Sequence, residues 1–168
     1  MRARVSGWAM AATAAFWGCA GLSQALPATK GETLSGRQLA PAEAVRGHPA
    51  VLVASFSKDA GPAADDWMRA LRVDLALAAA PAYELVMLEQ APGFVRGLIK
   101  GSMRKGLTPA QQDSSIILTQ DEKLWRSYFQ VTSEKEPYIV LIDAAGHVLW
   151  HGHGTARDLE PLLKAALR

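Results

Sequence analysis

The sequence predicts an α/β fold, a three-layer α/β/α sandwich around a central mixed sheet, and three observations carry that expectation. Val51–Phe56, Tyr83–Leu88 and Tyr138–Ile142 are short apolar runs of strand-forming residues. Strands of that kind are covered on both faces, as in the interior of a parallel or mixed sheet. Between the first two runs, apolar residues recur at Trp67, Leu71, Leu75 and Ala78, one face of a helix from Pro62 to about Ala79. Strand, helix and strand at this length make a right-handed parallel crossover. After the third run, Asp143-Ala-Ala-Gly146 is a turn and His147–His151 an antiparallel return. That strand belongs at a sheet edge.

The chain has 168 residues, room for one domain with a sizeable core. Met1 to Ala25 reads as a cleaved signal peptide. Arg2 and Arg4 open it, Trp8–Leu22 is uncharged and apolar, and Ser23-Gln24-Ala25 supplies small residues for a signal peptidase. Export, to a bacterial periplasm, is the expected destination. An uncleaved leader acting as a membrane anchor is the competing reading, although the apolar stretch is shorter than a span requires. The leader holds two of the 18 basic residues and none of the 16 acidic ones, so the remainder balances at 16 against 16. No global basic charge argues for nucleic acid. Cys19, the one cysteine, also lies in the leader. The exported domain is then thiol-free, which excludes disulfides, zinc thiolates and cysteine nucleophiles.

Residues 26–47 form a lead-in with little periodicity, including a short helix opened by Pro41, and the domain proper spans 48–168. His48-Pro49 forces an extended approach to the first strand. Ala91–Lys105 is a helix candidate with Val95, Leu98, Ile99 and Met103 on one side and Arg96, Lys100 and Arg104 as a basic stripe on another. Ser115–Leu118 is a short strand. Thr119 with Glu122 reads as a capping box opening a helix to about Phe129. These elements are a helical insertion ahead of Glu136-Pro137, which leads into the third apolar strand. The terminal helix starts near Asp158, so that Pro161 falls in its tolerant first turn.

Glu136-Pro137, apolar strand, Gly turn, antiparallel strand and terminal helix resemble the second half of the thioredoxin fold, whose proline is usually cis. The first half fits too: Ala60-Gly61-Pro62-Ala63 stands where thioredoxin-like proteins carry Cys-Gly-Pro-Cys, with neither sulfur present and a loop one residue shorter. A narrower likeness lies in Leu34-Ser-Gly-Arg37, Val53-Ala-Ser-Phe-Ser57, Asp66-Trp67 and Arg96-Gly-Leu-Ile-Lys-Gly-Ser-Met-Arg104. It continues in Tyr138–Asp143, Gly146-His-Val-Leu-Trp150 and Gly152/Gly154. These segments are similar to the thioredoxin-fold assembly factor of mitochondrial ATP synthase and its exported bacterial relatives, over about Leu34–Leu167. Glu134-Lys-Glu-Pro137 departs from that factor's wording.

The resemblance implies a chaperone-like protein rather than an enzyme, with no cofactor, binding a protein or peptide in a groove. One wall is Ala60, Gly61, Pro62 and Ala63, where a helix N-terminus offers amides to a carboxylate. The other is Glu136 and Pro137, where a partner strand would pair. The bland reading of both is geometric, a helix start and a strand approach. The stripe Arg96, Lys100 and Arg104 suits an anionic membrane surface or acidic partner, against the default of a solvated helix face. If the returning strand is regular, His147, His151 and His153 share one face. A metal-binding protein or enzyme using that face is the alternative from another class.

Overall fold

The computed structural model describes residues 25–74 and 80–167. Residues 1–24, where the signal peptide and Cys19 are expected, lie outside the described residues, as do Leu75 and Ala78. In chain order the elements are β1 (Glu32–Thr33), α1 (Pro41–Ala44), β2 (Ala50–Ser55), α2 (Gly61–Val73), β3 (Ala82–Met87) and α3 (Gly93–Lys105). Then come α4 (Pro109–Ser114), β4 (Ser115–Leu118), α5 (Glu122–Tyr128), β5 (Tyr138–Ile142), β6 (Val148–His153) and α6 (Ala156–Ala166).

The strands form one six-stranded sheet in the order β1-β4-β3-β2-β5-β6. β2, β3 and β4 run parallel, while β5 and β6 turn back antiparallel on one side and β1 on the other. All three apolar runs are therefore interior and β6 is an edge, as their composition requires. α3, α4, β4 and α5 are the insertion between β3 and the strand that follows Pro137. β1 caps the other edge, and Leu34 just beyond it is fully buried.

The sheet separates two main cores. On one face Leu52, Leu85, Ile116 and Val140 meet Trp125, Tyr128 and Phe129 of the α5 region. On the other, Val51, Val53, Ile139 and Leu141 meet Ala64, Trp67, Met68 and Leu71 of α2 and Leu163 of α6. A satellite cluster of Leu34, Leu88 and Ile117 lies under Ile99 and Met103 of α3.

Three local expectations are corrected, and one helix, α4, is unanticipated. α2 ends at Val73, with Asp74 already extended (φ −87°, ψ 116°), short of the Ala79 that its periodicity suggests. α4 carries too few apolar residues to show a period, although Thr108-Pro109-Ala-Gln111 signals it. The Thr108 hydroxyl and Gln111 side chain form a capping box with proline in the first turn. α5 has no such box at Thr119. Asp121, in the left-handed region at φ 62°, precedes the helix, and the Glu122 amide donates to the Glu89 carboxylate at 2.6 Å. A partner from a distant loop does the capping. α6 begins at Ala156, a residue pair before the expected start, so Pro161 sits inside it. Pro161 is exposed, and the Thr155 hydroxyl donates to the Asp158 carboxylate at 2.6 Å across the first turn.

A candidate binding groove at one end of the sheet

The loop after β2 passes through a 3-10 turn, Lys58–Ala60, directly into α2. Ala60 is fully buried, Gly61 and Ala63 are half-buried, and Pro62 is exposed. Ala60 is thus core, not groove wall. The Gly61 amide is already used by the Lys58 carbonyl, so the helix start is less open to a carboxylate than expected.

The facing segment is built by side chains from three elements. The Ser57 hydroxyl donates to the Glu134 carbonyl, across 77 residues of sequence. Arg126 of α5 bonds the carboxylates of Glu122 (2.7 Å) and Glu134 (2.8 Å), and its guanidinium lies 5.2 Å from the Phe56 ring centre. Its partial burial alone would favour the neutral form, but the hydrogen bonds and charge of Glu122 and Glu134 outweigh it, and the net shift is upward. The Tyr138 hydroxyl accepts the amides of Thr132 (2.8 Å) and Ser133 (2.9 Å), pinning the loop from the strand below.

Pro137 is buried, and its carbonyl accepts the Gly154 amide at 3.1 Å. The Gly154 carbonyl in turn accepts the indole N–H of the buried Trp67 at 2.9 Å. Helix α2, the strand β5 approach and the end of β6 are locked together at this point. The bond before Pro137 is trans, since the described residues contain no cis peptide, unlike the usually cis proline of the thioredoxin fold. Glu136 is half-buried; its carboxylate meets His153 Nδ1 at 2.8 Å, while its main chain makes no hydrogen bond within the described residues. The two predicted walls are linked indirectly, through Ser57 to Glu134 and through Trp67 and Gly154 to Pro137, with Pro62 exposed, Glu136 half-buried and Pro137 buried.

The histidine face does not assemble. β6 carries a bulge at Leu149, where Leu141 pairs with Trp150 but Ile142 pairs with Val148. Val148 consequently packs in the first core and Trp150 in the second. The extra residue reverses the alternation, so His147 leaves the face of His151 and His153. His147 turns back to Asp143 (3.1 Å), whose carboxylate is held below its usual range chiefly by the His147 amide. No group of three metal-ligating side chains occurs among the described residues. His151 lines a cavity of about 20 Å³ with Tyr128, Phe129 and Val148, room for a single water.

The basic stripe is corrected as well. Arg96 donates to the carbonyls of Ala91 (2.7 Å) and Glu89 (2.8 Å), Lys100 pairs with Glu32 (2.8 Å), and Arg104 Nε donates to the Leu34 carbonyl (2.5 Å). Lys100 and Arg104 fasten α3 to the β1 edge of the sheet, and Arg96 fastens it to the loop that precedes it. Leu98, expected on the apolar packing side, is instead 71% exposed, and Phe94 77%.

Two buried polar features escaped sequence reasoning. Glu84 of β3 is buried under α2 and accepts the Ser115 hydroxyl at 2.9 Å. Burial raises its pKa, partly offset by that hydrogen bond, with nearby Asp65 adding to the rise and Arg72 opposing it. A lone acid inside an apolar strand was the available signal. The Tyr128 hydroxyl is buried without a partner, as is Ser55 Oγ, and desolvation pushes the Tyr128 pKa up to about 12.

The mixed sheet, its strand order and the helices on both faces define a thioredoxin-fold protein. Solved structures agree. The chain is similar to a thioredoxin-family thiol:disulfide interchange protein from Chlorobium tepidum (TM-score 0.54, 16% identity, 86% of this chain and 96% of that one). It is similar to the exposed lipoprotein thioredoxin of Streptococcus pneumoniae (TM-score 0.53, 15% identity, 81% and 96%). It also resembles BsSco, a member of the Sco family of cytochrome c oxidase assembly proteins (TM-score 0.56, 12% identity, 88% and 95%). No family model matches the sequence, and no curated protein does.

Proposed function

We propose that this chain is an exported, redox-inactive thioredoxin-fold protein that holds an extended segment of a protein partner at the groove, in the manner of an assembly or chaperone-like factor. The observation that carries this reading is the main chain of Glu136, which makes no hydrogen bond among the described residues, at the approach to β5 that the Ser57–Glu134 bond ties to the loop before α2. A partner strand adds by backbone hydrogen bonds where a donor and an acceptor stand free. The Ser57–Glu134 and Arg126–Glu134 bonds hold that segment in place beforehand, which lowers the ordering cost of binding.

The redox-inactive part rests on composition. With alanine at positions 60 and 63, the groove has no thiolate to attack a disulfide. Export rests on the leader and finds support in one similar structure being an exposed lipoprotein, and assembly work in another belonging to an assembly-protein family. Among the described residues no helix is long and apolar enough to cross a membrane.

The test is site-specific photo-crosslinking in the native host, with the reactive residue placed at position 62, 136 or, as a control on α5, 123. One shared partner captured from 62 and 136 but not 123 is the expected result. Capture from neither groove position defeats the binding reading. Insulin reduction above background by the Cys19→Ser chain defeats the redox-inactive part independently.

A further inference from the structure

α3 buries no residue fully and rests on a small satellite cluster, yet it is firmly placed. Arg96, Lys100 and Arg104 tie it to main-chain carbonyls and to Glu32, and Ile99 and Met103 supply its apolar contact. With these three cations bonded to main-chain carbonyls and Glu32, the outward side carries Phe94 and Leu98, one helical turn apart and more than two-thirds exposed. They are the two most exposed large apolar side chains among the described residues after Val73 is set aside.

Cations outnumber acids around this pair, and the neighbouring carboxylates of Glu32 and Glu89 are engaged by Lys100 and by the Glu122 amide. α3 contains Arg96, Lys100, Arg104 and Lys105 and no acid. Lys105, exposed at its C-terminal end, has no partner among the described residues. The turn to which Arg104 is bonded brings Arg37 to the same end, while the nearby Asp113 carboxylate is taken by the Ser35 hydroxyl. An aromatic and an aliphatic side chain projecting from a helix flanked by cations is the composition that seats at the headgroup boundary of an anionic bilayer. The lysine and arginine stems allow their charges to reach the phosphates while Phe94 and Leu98 enter the acyl region.

We propose that α3 docks on an anionic lipid surface, with Phe94 and Leu98 immersed and Lys105 and Arg37 on the headgroups. This moves membrane contact away from the basic stripe itself, whose cations are structural. It does not depend on the groove, which lies at the strand ends near Pro62 and Glu136.

A nitroxide probe in the full-length chain tests this. Cys19→Ser with Gly97→Cys places one label between Phe94 and Leu98, at a glycine with open space around it. Cys19→Ser with Lys123→Cys places a control on α5. With vesicles containing phosphatidylglycerol, relaxation by oxygen against a water-soluble nickel complex should put the label at 97 below the phosphates and leave that at 123 in water. The effect should be lost in pure phosphatidylcholine, and also when Phe94→Ser and Leu98→Ser are added, checked for folding by circular dichroism. A label at 97 that stays aqueous on anionic vesicles overturns the proposal. So does immersion that survives the double serine change, which would point to the leader alone. Immobilisation at 97 without vesicles would assign the face to a second copy of the chain and overturn it equally.

Discussion

Glu84 is a carboxyl whose neutral form the fold prefers. Its pKa is raised on folding, chiefly by burial, so the folded state binds the proton more tightly than the unfolded chain. Its contribution to stability is therefore fully present below the unfolded value near 4.5 and is lost as pH rises through the folded value. Glu84→Gln keeps an oxygen for the Ser115 hydroxyl and removes the titration. Urea unfolding from pH 4 to 8 should show the variant more stable than the parent at neutral pH and with a flatter profile; a parallel pair of curves would refute this. Tyr128→Phe should likewise raise stability, by about 1 kcal/mol, because it removes a buried hydroxyl with no partner. A melting temperature lowered by that change would mean that the hydroxyl is hydrogen-bonded in solution.

Helix α3 divides its apolar residues, with Ile99 and Met103 toward the body beside three bonded cations and Phe94 and Leu98 toward solvent. The reason is what the sheet edge offers. Beside the satellite cluster stand the carbonyls of Glu89, Ala91 and Leu34 and the carboxylate of Glu32, acceptors that three long cationic side chains can reach. Arg96→Glu with Lys100→Glu would accordingly do more than recharge a surface. Both ties would be lost and Lys100→Glu would face Glu32, so thermal unfolding should show a loss of about 2 kcal/mol. An unchanged melting temperature would show that α3 is held by Ile99 and Met103 alone. Gly97 and Gly101 within the helix meet nothing nearby, so they weaken it without serving a contact, which makes these ties more important.

The molecule as a whole closes both sides of its sheet with unlike devices. On one side the bulged β6 is an edge whose twist discourages further pairing. On the other, the lead-in wraps around: Glu32 and Thr33 pair with Ile117 and Ile116, Leu34 is buried, and Thr29 joins the Trp125 indole to Asp121. Gly31 is required there, since a Cβ would come within 2.7 Å of the Leu39 carbonyl oxygen and 2.6 Å of Ile116. A chain beginning at residue 48 should lose these contacts and bare the β4 edge. It should be far less soluble than one beginning at residue 25, with a cost of about 4 kcal/mol or more. Equal melting curves for the two would show that residues 26–47 are dispensable.

The central sheet was legible in the sequence because its signal is local: an uninterrupted apolar run has one stable place, between two layers. The parallel crossover, the edge position of the histidine strand and the absence of a thiol from the groove were readable for the same reason, each depending on a few adjacent residues. The site was half legible. Pro62 and Glu136 are each marked by their local sequence, but the burial of Ala60, the trans bond at Pro137 and the clasp from Ser57 to Glu134 depend on segments far apart in sequence. So do the capping of α5 by Glu89, the bulge that parts His147 from His151 and the inward turn of Arg96, Lys100 and Arg104. A helical period names the faces of a helix without saying which is buried. That choice falls to whichever acceptors and apolar surfaces the rest of the chain brings alongside, and for α3 it fell to carbonyls and Glu32.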